Sequence, residues 1–188
     1  MIYTLPLFIL GSRGIKSKKM ENEITNKVSN SGIVTIDLEE FYIHGERVLF
    51  DIKPHLFQEL ILREKEFREF IKTNNWSFYK DKLVALTCTA DAIVPTWAYM
   101  LLTLALEPFA KRIVFGNLSE LETILFAEKL TFLNLSTYKN ARVVIKGCGD
   151  IDIPKNAYVQ ITALLKPIAK SIMYGEPCST VPLYKAAK

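Results

Sequence analysis

Between Lys82 and Gly175 the chain alternates short, continuously apolar runs with longer segments carrying helix signals, and that alternation restricts the fold more than any other feature. KLVALTC (82–88), RIVFG (112–116), ARVVIKG (141–147) and AKSIMYG (169–175) read as strands buried on both faces. Between them stand PTWAYMLLTLAL after Pro95, LETILFAEKL opened by a capping box of Ser119 and Glu122, and PKNAYVQITALLKP from Pro154. Strand, helix, strand at this spacing predicts right-handed crossovers and an α/β fold: a mostly parallel sheet of about four core strands with helices on its faces.

Upstream, GIVTIDLEEF (32–41) and RVLFDI (47–52) flank Gly45 and predict a β-hairpin at one edge of that sheet. Pro54 opens a helix whose apolar side is Leu56, Leu60, Phe67 and Ile71. No internal repeat, low-complexity tract or linker stands out, so residues 20–188 read as one domain. Residues 1–19 read as a separate extension. They hold an apolar run, LPLFIL, followed by Arg13, Lys16, Lys18 and Lys19, the reverse of a secretory signal's order, and Met20 offers an alternative start.

The net charge of +4 comes from that extension, leaving 20 basic and 20 acidic residues from Met20 onward. Without a basic stripe, nucleic acid is not the expected partner. LPLFIL is far shorter than the ~20 residues a membrane span needs. The absence of an export signal points to a reducing cytoplasm, where three cysteines are thiols or ligands and not a disulfide framework.

All three cysteines fall at carboxyl ends of predicted strands: Cys88 after the first, Cys148 after the third and Cys178 after the fourth. In one parallel sheet those ends share an edge, the edge where such folds place their sites. Asp91, Asp150 and Glu176 lie beside them, and His44 folded over the edge supplies another candidate ligand. Three readings stand open. The thiolates hold zinc or an iron–sulfur cluster with a fourth ligand from that set; Cys88, ahead of a helix, is the reactive thiol of an enzyme; or the cysteines are inert parts of a scaffold. Lys146 and Lys170 are anion-binding candidates. His55, Trp76 and Trp97 read as capping or core residues, and the GCG at 147–149 lacks the third glycine of a dinucleotide fingerprint.

TCTADAIVPTWAYMLL, VVIKGCGD and KSIMYGEPCSTVPLYK, with GERVLFDIK and LILREKEFR, resemble an uncharacterised bacterial family, domain of unknown function 2480, from about Met20 to Lys185. The resemblance implies no activity. It implies an association with the sulfur-mobilisation machinery of iron–sulfur cluster assembly, and so cluster-assembly proteins as partners of a metal or sulfur site at Cys88, Cys148 and Cys178.

Overall fold

The computed structural model describes residues 32–147, 149–176 and 178–187. The extension at 1–19 and Cys148 lie outside them. Among the described residues the order is β1 (Ile33–Asp37), β2 (Arg47–Asp51), α1 (Glu64–Thr73), β3 (Leu83–Thr87), α2 (Thr96–Leu106), β4 (Arg112–Phe115), α3 (Leu118–Thr131), β5 (Arg142–Lys146), α4 (Lys155–Leu165), β6 (Ser171–Glu176) and β7 (Ser179–Lys185). The four core strands predicted from sequence all form, with the three helices between them.

They do not share one sheet. β2, β3 and β4 make a parallel three-stranded sheet, and β1, β5 and β6 make a second, to which β7 adds antiparallel. The predicted hairpin is likewise absent: β1 pairs with β5 and β2 with β3, both parallel. Gly45 does turn the chain, with φ of 151°, but the turn delivers Glu46 to Leu83, whose amide donates to the Glu46 carbonyl. Each of the two early strands therefore serves a different sheet. The helix expected from Pro54 begins only at Glu64, because Gln58 and Glu59 sit at φ of 51° and 59°, a left-handed conformation no helix tolerates. Pro54 lies in a short 3-10 turn instead.

The helices settle how the two sheets stack. β3 alternates its side chains: Val84 and Leu86 pack with Phe67 of α1 and with Ala98, Leu102 and Leu106 of α2, while Leu83 and Ala85 face Leu121 and Leu125 of α3. The far side of α3 presents Phe126 and Leu130 to Val143, Ile145 and Ile172 of the second sheet, beside Ala157, Ile161 and Leu165 of α4. The layers therefore run α1 and α2, first sheet, α3 and α4, second sheet. A helix buried on two sides needs apolar residues on two sides, which is how LSELETILFAEKLT reads. Its cap is Asn117 with Glu120, two residues earlier than predicted, which leaves Glu122 to form a fork with Arg47 of β2. Among the described residues no helix is long and apolar enough to cross a membrane.

This layering is a repeat. Setting residues 64–116 against 123–175 at a constant offset of 59, without a gap, makes 18 of 53 positions identical, among them Phe67 and Phe126, Tyr79 and Tyr138, Pro95 and Pro154, Tyr99 and Tyr158, Gly116 and Gly175. β3 and β5, α2 and α4, and β4 and β6 begin at that same spacing. Asn75 and Asn134 each cap a 3-10 turn by accepting from the amide and hydroxyl of the serine two residues on. Asp81 and Asn140 both hold positive φ, 60° and 57°. Residues 64–175 hold two copies of one helix–strand–helix–strand unit, each completed by a strand from the β1 and β2 pair.

Because α3 belongs to the second unit but seals the back of the first, the two are expected to unfold together. Leu125→Ala should cost roughly 2–5 kcal/mol. Tryptophan emission reads the first unit alone, since Trp76 and Trp97 both lie there, and its midpoint should move together with the far-ultraviolet circular dichroism of the whole chain. Separated midpoints would contradict the shared layer.

Candidate functional site

Each sheet ends in the same device. Asp37 and Asp51 close β1 and β2, and each side chain accepts from the amide two residues on, Glu39 at 3.1 Å and Lys53 at 2.9 Å. In register, Asp37 lies opposite Lys146 and Asp51 opposite Thr87, positions separated by the same offset of 59.

At the first sheet the carboxylate is used up in holding a loop. Asp51 accepts from the Thr89 amide at 3.0 Å and from the Thr89 hydroxyl at 2.5 Å. Burial raises its pKa, but the bonds from Thr89 and Lys53 outweigh it, and the carboxyl stays below its ordinary value. The loop so fixed carries Cys88, half-buried against the core of the first sheet, its thiol donating to the Ala90 carbonyl oxygen at 3.8 Å. His55, beside Asp51 in sequence, stacks on Phe50 and on Phe70, 3.9 Å between ring centres in the latter pair, and burial holds its imidazole below 6.5 against the pull of Asp51.

At the second sheet the same position is charged and less closed. Lys146 reaches Asp37 at 2.7 Å; that bond lowers the Asp37 pKa and raises that of the lysine, with Glu176 and Glu39 adding further negative field. Glu39 is the anomaly. Its Oε1 is buried and, among the described residues, has no hydrogen-bond partner, a state that ordinarily costs at least 1–3 kcal/mol, more for a charge. It leans on the backbone of Gly149, where a Cβ would collide with its carboxylate. Gly147 is equally confined: the Tyr158 hydroxyl donates to its carbonyl at 2.8 Å, and a Cβ there would meet that oxygen at 2.6 Å. Side chains therefore close in on both glycines flanking Cys148. Cys178 is exposed in the tight turn joining β6 to β7, with Glu176 opposite Ser179.

The residues singled out from sequence separate accordingly. Cys88 and Asp91 follow the first sheet; Cys178, Glu176, Asp150 and Lys146 follow the second. The premise of one common strand edge does not hold, since the two sheets are separate and α3 packs against both. Lys170 precedes β6 and so lies at the opposite end of the sheet from Lys146, beside Arg142 and Lys185. His44 is exposed and packs edge-on against Tyr42. Among the described residues, which exclude Cys148, no group of three or more His, Cys, Asp or Glu is placed to hold a metal. Sequence reading missed Asp37 and Glu39; the pairing of IVTID with RVLFD, each ending in aspartate, was the available signal.

Asp51 makes a pH prediction. Its folded-state pKa is depressed, so its contribution is present above about 3.8 and lost as pH falls through the lower folded value. His55, also depressed, loses its contribution as pH falls below about 6.5. The stability gap between wild type and Asp51→Asn, read by urea unfolding, should narrow below about pH 3.8; a gap that is constant across pH would contradict the assignment.

The family model described as Protein of unknown function (DUF2480) matches residues 22–186. No curated protein and no solved structure matches the chain. Since the match covers both units and β1 to β7, the chain belongs to the DUF2480 family.

Proposed function

We propose that the carboxyl end of the second sheet binds a metal ion or a sulfur-bearing group through Cys148 and Cys178, and that Cys88 takes no part. The supporting observation is Glu39: a buried carboxylate oxygen without a donor, set against the glycine that follows Cys148. A cation, or a ligand bearing a donor, would supply what that oxygen lacks. Asp37, Glu39 and Glu176 around the single Lys146 leave an excess of negative charge there, which suits a cation better than an anion. Thiolates select zinc or an iron–sulfur cluster over magnesium or calcium. In this reading the protein is an accessory to iron–sulfur cluster assembly in a reducing cytoplasm, with cluster-assembly proteins as its partners. Cys88, half-buried against the core of the first sheet, belongs to its packing.

Elemental analysis of untagged protein purified anaerobically tests this directly. Wild type and Cys88→Ser are expected to carry metal, whereas Cys148→Ser and Cys178→Ser lose it. Glu39→Gln is expected to weaken binding roughly 10–100-fold, the usual effect of removing a supporting group. Metal-free wild type, or loss caused by Cys88→Ser alone, would overturn the reading.

A further inference from the structure

Among the described residues, the repeat leaves one groove flanked by an outer strand and its counterpart without one. On the second sheet β7 runs antiparallel along the outer edge of β6, with Met173 opposite Pro182, Tyr174 opposite Val181 and Gly175 opposite Thr180. Leu183 of that strand lines a groove with Ile153, Lys155, Tyr158, Thr162 and Tyr174. Subtracting 59 from those five positions gives Val94, Thr96, Tyr99, Thr103 and Phe115, which line a groove on the first sheet. Even the aromatic pairs match, Tyr158 with Tyr174 at 81° and Tyr99 with Phe115 at 85°.

Among the described residues, the first groove has no strand over it. The chain leaves β4 at Phe115 and enters α3 at Leu118, so nothing equivalent to β7 follows. β4 pairs with β3 on one side and, among the described residues, with no strand on the other. The cavity measures about 810 Å³ against about 470 Å³ for its counterpart. Ile93 is 94% exposed, Leu104 72%, Phe115 67% and Met100 62%. An apolar patch beside an unpaired strand edge is a site for strand addition.

The sequence names an occupant. β7 reads Thr180-Val181-Pro182-Leu183-Tyr184, and the pattern Thr-x-Pro-Leu followed by an aromatic occurs once more, as Thr4-Leu5-Pro6-Leu7-Phe8. We propose that residues 4–8 add antiparallel to the free edge of β4 as β7 adds to β6. By the same register Thr4 lies opposite Gly116, Leu5 opposite Phe115 and Pro6 opposite Val114, and Leu7 enters the groove as Leu183 enters its own. A proline is tolerated on an edge strand, and Pro182 already occupies one. The 23 residues between Phe8 and Gly32 span up to roughly 75 Å when extended, well beyond a domain of this size, whose radius of gyration is about 15 Å. The extension that sequence alone sets apart is then the outer strand of the first sheet. The family match begins at residue 22, so this strand is a feature added to the matched region.

Hydrogen exchange at β4 tests the proposal. The amides of Arg112 and Gly116 donate to Lys82 and Leu86 of the β3 side, so those of Ile113 and Phe115 point to the free edge. In the full chain these two are expected to exchange at least tenfold more slowly than in a chain starting at Met20, with both forms monomeric. Leu7→Glu in the full chain should abolish the difference, Ile15→Glu should not, and a synthetic peptide of residues 1–12 added to the shorter chain should restore it. Equal exchange in the two chains would overturn the proposal. So would dimers of both forms with protected β4 amides, which would make a second copy the occupant.

Discussion

Everything in this structure depends on α3 being buried from two opposite sides. Leu121 and Leu125 seal the back of the first sheet, and Phe126 and Leu130 fill the core of the second. Full burial of such side chains is worth about 1.5–3 kcal/mol each, so this helix carries interactions that neither sheet can replace. Two arginine–glutamate pairs hold it from the strand side, Arg47 with Glu122 and Arg112 with Glu128. Without α3, Leu83 and Ala85 of β3 would face water, and the first unit would have a core on one face only.

The same constraint explains what sequence could and could not reveal. Strand and helix positions from Lys82 to Gly175 were legible because continuous apolar runs and prolines at helix starts are local signals, whereas β7, with Pro182 inside it, was not anticipated. Membership of a sheet is not local: LVAL and VVI look alike, and only the packing of α3 between them shows that they lie in different layers. Arg142 stands where the first unit has Leu83, and it is exposed whereas Leu83 is buried. The hairpin expectation failed because Gly45 signals a turn without signalling its destination. The repeat is hard to read from sequence because its identities are spread singly or in pairs, Phe67 with Phe126, Tyr79-Lys80 with Tyr138-Lys139, Thr103 with Thr162, and never in a longer motif.

Duplication also gives the candidate site its contrast. Position for position, the first unit has Thr87, Cys88, Thr89 and Ala90 where the second has Lys146, Gly147, Cys148 and Gly149. In the first, Thr89 satisfies Asp51 and the loop is closed by internal bonds. In the second, two glycines let Glu39 and Tyr158 approach the backbone, and one carboxylate oxygen is left without a donor. The cysteines were legible as residues of interest, but their division between the two ends was not, because it follows from the layering.

Native-state hydrogen exchange in low denaturant tests the central claim, that one shared helix makes the two units a single cooperative body. The slowest amides of β3 and β5 should exchange with the same free energy and the same denaturant dependence, both equal to those of global unfolding. Exchange of β3 through a smaller opening, while β5 stays protected, would contradict it.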